Sequence, residues 1–231
     1  MSHHINLIRI KGVHHALLPL NEKIVFVGGA TVSLYADKPE QADVRPTNDI
    51  DVLVEVGSYA GYVKIQQQLA ALGFEIDRNS NVTCRYLYEG LVVDVMPTDE
   101  NALGFSNRWY RDGFANLTQY SLDTNTNVNI FTSPYFLASK LEAFIGRGKN
   151  DGRTSRDFED IVFLLDNRST IWKELQQTTN DLRIFLQDEI RVLLANKNIE
   201  EWISAHLEYE TAAARGRMIL NNMKTFVSAV Q

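Results

Sequence analysis

Three aspartates lie within apolar segments of this chain. Asp49 and Asp51 are two residues apart in the segment 49–56, and Asp94 lies in the segment 91–96. Side chains two positions apart on a strand leave the same face, so Asp49 and Asp51 share a direction. Carboxylates that converge in an apolar setting repel one another unless a cation neutralises them, and Mg²⁺ prefers carboxylate and phosphate oxygens. The pattern therefore predicts a metal-dependent site for phosphoryl or nucleotidyl transfer.

The elements that must position these aspartates are short strands and helices. Gly28 and Gly29 follow a predicted strand and open a predicted helix, while Glu89-Gly90 is a favourable two-residue hairpin turn. The predicted elements are a helix over 5–20, a strand over 23–27, a helix over about 29–36, a loop over 37–48, a strand over 49–56, a helix over 59–72, and strands over 74–77, 82–88, 91–96 and 128–131.

The pattern changes at Ser133-Pro134, a pair that favours a helix start. From there to residue 231 the chain is predicted to be mostly helical. We expect an α+β (mixed α/β) protein, with a catalytic domain over 1–132 around a small mixed sheet and a helical domain over 133–231.

Composition narrows the class of protein. The chain has 231 residues, of which 45% are hydrophobic, and its formal net charge is −6. That charge is not typical of a protein that binds long nucleic acid non-specifically. No apolar run approaches the roughly 18 residues of a membrane span, and the N-terminal residues do not resemble a signal peptide. Cys84 is the single cysteine, so an intrachain disulfide is excluded and a cytoplasmic location is expected.

The chain has a strand, a Gly-Gly turn, a helix, an Asp-x-Asp strand and a third aspartate on a later strand. This order resembles the DNA-polymerase-β-like nucleotidyltransferase superfamily over residues 23–96. Within it, the motif Arg-x-Thr-x-Asp-Ile-Asp at 45–51 is similar to that of AbiEii-type nucleotidyltransferases, the toxins of abortive-infection toxin–antitoxin pairs. The segments 138–143 and 156–161 are similar to that family's Lys-x-x-Ala helix and basic-Asp-x-x-Asp helix. The resemblance thus extends to about residue 166 and implies a nucleotidyltransferase fold.

The resemblance also implies roles for individual residues. Asp49, Asp51 and Asp94 would hold two Mg²⁺ ions that bridge the triphosphate of a nucleoside triphosphate, and Asp94 would take the proton of the acceptor. Lys140 would complete the catalytic group by neutralising triphosphate charge. The implied nucleotide-binding residues are Gly28, Gly29, Thr31, Arg45, Thr47, Arg156, Asp157 and Asp160.

The glycine turn departs from the family in one respect. The family commonly has a hydroxyl residue directly after Gly-Gly or Gly, whereas here Ala30 intervenes and the hydroxyl belongs to Thr31. The resemblance implies that the glycine backbone approaches the phosphates and that the N-terminus of the following helix points at them.

Two features of the later helix leave alternatives open. On the predicted helix 154–166, Arg153–Asp157 and Arg156–Asp160 could be simple ion pairs one turn apart, or this face could turn toward the active site. The basic residues of the loop 146–152 and the start of that helix could be a solvated surface or a phosphate clamp. These residues are Arg147, Lys149, Arg153 and Arg156.

The resemblance implies transfer of a nucleoside monophosphate to a tRNA end or a protein hydroxyl, with an antitoxin protein as a possible partner. A small-molecule acceptor, as in antibiotic nucleotidyltransferases, is the main alternative and is slightly favoured by the acidic net charge. A catalytically silent binding module of the same fold is a third possibility, which the presence of all three aspartates disfavours.

Overall fold

The computed structural model describes residues 2–41, 44–178 and 180–229. Residues 42 and 43 of the predicted loop, and the last two residues of the predicted helical domain, lie outside the described residues. The chain divides into two compact units, Met1–Leu34 with Pro39–Thr132, and Tyr35–Lys38 with Ser133–Gln231.

The first unit contains a mixed sheet. Its strands in chain order are β1 (Ile24–Val27), β2 (Asp49–Val54), β3 (Glu75–Ile76), β4 (Arg85–Tyr88), β5 (Leu91–Pro97), β6 (Leu117–Ser121) and β7 (Asn127–Phe131). The spatial order among the described residues is β3-β4-β5-β2-β1-β7-β6. The pairs β2–β5 and β1–β7 are parallel, whereas the other neighbouring pairs are antiparallel.

Helices account for most of the remaining regular structure. The described residues form α1 (Ser2–Leu17), α2 (Tyr59–Ala71), α3 (Glu100–Leu103), α4 (Tyr110–Ala115), α5 (Ser133–Arg147), α6 (Arg156–Asn167), α7 (Ile171–Gln176), α8 (Asn180–Ala195), α9 (Ile199–Ala205) and α10 (Ala212–Ser228). Short 3₁₀ helices cover Leu18–Leu20, Gly29–Tyr35 and Pro39–Gln41. No described helix is both long enough and apolar enough to cross a membrane.

The mixed α/β fold expected from the sequence is confirmed, and so is the hairpin turn between β4 and β5. Glu89 and Gly90 have φ angles of 48° and 80°. Two successive positive φ angles are typical of the type I′ turn, whose twist matches that of the flanking strands. The turn fixes the register of β4 on β5, and this register places Arg85 opposite Asp94.

The local structure adds to the prediction in two places. The helix predicted over about 29–36 is a 3₁₀ helix over Gly29–Tyr35. The strand β6 and the short helices α3 and α4 were not predicted. The alternation of β6 is weak because all of its residues are at least partly exposed.

The short segment Tyr35–Lys38 belongs to the second unit through local hydrogen bonds. Arg168 Nη1 donates to the carbonyl of Tyr35 at 3.1 Å, and the amide of Asp37 donates to the carbonyl of Asn167 at 3.0 Å. The amide of Ser169 donates to Asp37 Oδ2, also at 3.0 Å. These bonds tie the segment to the end of α6.

Candidate active site

The register of three neighbouring strands aligns the central residues of the site. Asp51 of β2 pairs with Asp94 of β5, and Asp94 pairs with Arg85 of β4. Directly paired residues of neighbouring strands project from the same face of a sheet. Asp51, Asp94 and Arg85 therefore form one row across the sheet, and Asp49 lies two residues before Asp51 on the same face.

Arg85 pairs with two of the three aspartates, Asp94 and Asp49. Its Nε donates to Asp94 Oδ1 at 2.8 Å, and its Nη2 donates to Asp94 Oδ2 at 2.7 Å and to Asp49 Oδ2 at 2.9 Å. The fork of the guanidinium matches a carboxylate in this two-bond geometry, which is the strong form of the contact. The hydrogen bonds that Arg85 donates to Asp94 raise the pKa of the guanidinium, so it stays charged.

Sequence reasoning missed Arg85, although a signal was present. With a two-residue turn at Glu89-Gly90, counting outward from the turn pairs Tyr88 with Leu91 and Arg85 with Asp94, as the structure has it. A basic residue directly opposite a buried aspartate is a charge partner by position.

The neighbour of Arg85, Cys84, is poorly suited to act as a nucleophile. It is buried, and burial together with the negative charge of Asp94 raises the pKa of its thiol to about 12. A thiol that stays protonated is a poor nucleophile.

The carboxylate of Asp51 lies against the glycine turn. Gly28 has a φ of 74°, and a β-carbon placed there would overlap Asp51 Oδ2 and lie 2.6 Å from Asp51 Cγ. Only glycine combines this backbone conformation with the space that the carboxylate needs. The turn and the second aspartate of the motif therefore fit each other sterically.

The second glycine is in contact with the motif that precedes β2. A β-carbon on Gly29 would lie 2.9 Å from Arg45 Nη2 and 3.1 Å from Thr47 Cγ2. Thr47 is buried, its hydroxyl donates to Asn6 Oδ1 at 3.4 Å, and its carbonyl accepts a bond from Arg9 Nη1. Helix α1 thus supports the motif through Asn6 and Arg9, a role that the sequence did not indicate.

Thr31 lies deeper than the resemblance implies. Its side chain is fully buried, and its hydroxyl donates to the carbonyl of Gly28 at 2.9 Å. The hydroxyl therefore closes the glycine turn, and a contact with a phosphate would require this bond to break.

The donor set suits Mg²⁺ in its chemistry. Asp49, Asp51 and Asp94 supply carboxylate oxygens from one face of two adjacent strands, and a hard cation prefers such ligands. Across residues 2–41, 44–178 and 180–229, however, no group of three or more His, Cys, Asp or Glu residues is already arranged to hold a metal ion. The positive charge beside Asp49 and Asp94 comes from Arg85 instead.

The second unit contains a separate cluster of charged residues between α5 and α6. Lys140 Nζ lies 2.6 Å from Asp160 Oδ2 and 3.4 Å from Asp157 Oδ1. The side chains of Lys140, Asp157 and Asp160 are only 7%, 7% and 2% exposed. The lysine is therefore a buried partner of both aspartates rather than a surface residue.

Arg147 covers this cluster from the solvent side. Its Nε and Nη2 donate to the two carboxylate oxygens of Asp157 at 2.6 and 2.8 Å, although its side chain is 72% exposed. Burial alone would raise the pKa of Asp157, but the hydrogen bond from Arg147 and the charges of Lys140 and Arg147 outweigh it and lower that pKa.

The basic residues near the start of α6 are not arranged as simple pairs along that helix. Arg153 Nη1 lies 2.7 Å from Glu201 Oε1, rather than in the pair with Asp157 that was one of the two alternatives. Arg156 is exposed at the first position of α6, and Asp160 is paired with Lys140. The structure thus brings Asp157, Asp160 and Lys140 together and leaves Arg156 on the surface.

Comparison with known proteins identifies a family that the chain matches. The family described as "Nucleotidyl transferase AbiEii toxin, Type IV TA system" matches residues 14–227. That range contains both the row of strand residues and the charged cluster of α5 and α6. No curated protein matches the sequence significantly.

Two solved structures are similar in fold. One is an antigenic nucleotidyltransferase-like protein from Paracoccidioides brasiliensis, with a TM-score of 0.53 and 17% identity, covering 90% of this chain and 96% of that chain. The other is the antibiotic-resistance factor ANT(2'')-Ia, with a TM-score of 0.51 and 12% identity, covering 84% of this chain and 96% of that chain. At such low identity the likeness shows the fold alone.

Proposed function

Since the chain belongs to the AbiEii nucleotidyltransferase toxin family, we propose that it transfers a nucleoside monophosphate from a nucleoside triphosphate to an acceptor hydroxyl. The observation that carries the proposal is the row of Asp51 and Asp94 on paired strands, with Asp49 on the same face. These three carboxylates would hold Mg²⁺. A Mg²⁺ ion held there would supply positive charge that offsets the charge developing on the triphosphate.

The reaction would be an in-line displacement at the α-phosphorus. The acceptor oxygen forms a bond to phosphorus while the bond to the leaving pyrophosphate breaks, and the hydroxyl proton passes to a carboxylate. Asp94 is the proposed base, because it is the third carboxylate of the row. Its two oxygens accept bonds from Arg85 in this structure, so Asp94 must be released before it takes a proton.

The glycine turn is the proposed phosphate-binding segment. Gly28 and Gly29 expose backbone without side chains, so a phosphate can approach it closely. Arg45, whose guanidinium lies beside Gly29, would bind phosphate oxygens, and Thr47 would hold the turn against α1. Thr31 would contribute indirectly, by closing the turn.

The charged cluster of the second unit is proposed to contribute to nucleotide binding. Lys140 would offset triphosphate charge, and Asp157 and Asp160 would set the position of its ammonium group. Both carboxylates already contact that group, which supports the positioning role. Arg156, exposed at the start of α6, would contact a phosphate or the acceptor.

We propose a tRNA end or a protein hydroxyl as the acceptor, an antitoxin protein as a partner, and action in the cytoplasm. The family description, a toxin of a type IV toxin–antitoxin system, supports the partner. A small molecule is the second candidate acceptor, because the net charge of −6 does not favour long polyanions.

The test is label transfer. The protein is incubated with Mg²⁺, each α-labelled nucleoside triphosphate in turn, and total tRNA, beside Asp51→Asn and the exposed control Asp112→Asn. Label on RNA that is lost in Asp51→Asn and retained in Asp112→Asn would support an RNA-directed enzyme. Label on protein, or on an aminoglycoside added to the reaction, would indicate that the acceptor is a protein or a small molecule instead of RNA. Equal labelling by the wild type and Asp51→Asn would overturn the site.

A further inference from the structure

Arg85 lies where a metal ion would otherwise be needed. It contacts both oxygens of Asp94 and one oxygen of Asp49, and thus joins β5 to β2 across the candidate site. These carboxylates are among the oxygens that the proposed function assigns to Mg²⁺. The guanidinium and the metal would therefore use the same ligands.

The contact with Asp94 is shielded from water. The side chains of Arg85 and Asp94 are 23% and 8% exposed, while that of Asp49 is 38% exposed. A carboxylate as buried as Asp94 is costly unless a positive group pairs with it, and removing Arg85, whose Nη2 lies 2.7 Å from Asp94 Oδ2, would take that pairing away. A protein without bound metal thus needs Arg85 in this position.

We propose that Arg85 is a built-in counter-ion of the metal site, which holds Asp49 and Asp94 in place and yields them to Mg²⁺ when the metal and nucleotide bind. The inference rests on the proposed function and deepens it, because it makes metal loading a competition between two cations. Once displaced, Arg85 remains a positioning residue beside the site.

The competition predicts that two properties change in opposite directions. Removing the guanidinium should lower the stability of the metal-free protein, because Asp94 loses the positive group that Arg85 provides. It should also strengthen metal binding, because the carboxylates no longer have to break charged hydrogen bonds first. A purely structural arginine would lower stability and leave metal affinity unchanged or weaker.

The variants are Arg85→Gln, Arg85→Lys and the control Arg78→Gln. Glutamine removes the charge, and lysine keeps a charge but loses the two-bond fork. Arg78 is exposed and lies in the same unit, so its replacement changes the net charge equally without touching the row. Circular dichroism checks the fold of each variant.

The readouts are Mn²⁺ binding, followed by the loss of its free electron paramagnetic resonance signal, and thermal unfolding in a chelator. Mn²⁺ is used because it accepts the same oxygen ligands as Mg²⁺. We expect Arg85→Gln to bind Mn²⁺ about tenfold more tightly than the wild type, or about 1.4 kcal/mol. It should also unfold at a lower temperature in the chelator, while Arg78→Gln matches the wild type in both. Arg85→Lys should bind Mn²⁺ more tightly than the wild type but less tightly than Arg85→Gln.

The outcomes separate this inference from the proposed function. If folded Arg85→Gln or Arg85→Lys binds Mn²⁺ no more tightly than the wild type, the inference is overturned. If Asp51→Asn then loses the Mn²⁺ binding that the wild type has, the metal site of the proposed function is still supported. If Arg85→Gln does not fold, Arg85→Lys decides by the same criterion. Binding by Arg85→Gln alone, with none by the wild type, would support the inference. No binding by any variant would overturn both.

Discussion

The carboxylate of Asp51 lies against the α-carbon of Gly28, in the space that a side chain at position 28 would occupy. One residue ends the turn after β1 and the other belongs to β2, and the two strands pair so that Val27 is opposite Asp51. The register of these strands therefore brings the proposed phosphate-binding turn and a proposed metal ligand together. Each restricts what the other position can hold.

Replacing Gly28 by alanine should damage both the fold and the site. The positive φ of 74° strains any residue with a β-carbon, and the new methyl group would overlap the Asp51 carboxylate. We expect a loss of about 1–3 kcal/mol in the free energy of unfolding from the backbone alone, with a larger loss of Mn²⁺ affinity than stability explains. Urea unfolding and Mn²⁺ titration measure these. Gly57→Ala is the control, because a β-carbon there meets nothing within 4 Å.

Thr31→Val should lower stability and weaken nucleotide binding only slightly, because Thr31 closes the glycine turn without contacting the phosphates. The hydroxyl of Thr31 is buried and donates to the carbonyl of Gly28, so its removal costs about 0.5–1.5 kcal/mol. Thr31→Ser keeps the hydroxyl and serves as the control. Urea unfolding and equilibrium nucleotide binding are compared for both variants. A large rise in the dissociation constant of the nucleotide, at wild-type stability, would show that Thr31 binds the phosphates after all.

The sequence predicted the central strands because their apolar residues have the period or continuity of buried strands. It did not predict the partner of Asp94, because Arg85 and Asp94 meet only through the register set at Glu89-Gly90. Lys140 is a similar case. A lysine in a helix is normally exposed, and this one is buried because α6 places Asp157 and Asp160 beside it. Such contacts depend on tertiary packing rather than on local pattern.

Lowering the pH should destabilise the second unit, because the carboxylate of Asp157 becomes protonated. Its pKa is lowered below the ordinary 3.8 in the folded protein, so its ionised form stabilises the fold at pH values above 3.8. This contribution disappears as the pH falls through the lowered folded value, where both states are protonated. The difference in unfolding free energy between the wild type and Asp157→Asn should therefore shrink below pH 3.8. Urea unfolding from pH 7 to pH 3 measures it, with the exposed Asp181→Asn as the control. A constant difference would contradict the role of Asp157.

Lys140→Met should be strongly destabilising, whatever its effect on catalysis. The ammonium lies 2.6 Å from Asp160 Oδ2, and both side chains are almost fully buried. Removing one member of a buried pair costs about 3–5 kcal/mol, because the remaining charge loses its partner. The double variant Lys140→Met with Asp160→Leu should recover much of that loss, since two apolar groups then face each other. Urea unfolding of both, beside the exposed control Lys173→Met, tests this. A cost below about 1 kcal/mol, typical of surface pairs, would mean that the cluster contributes little to the fold.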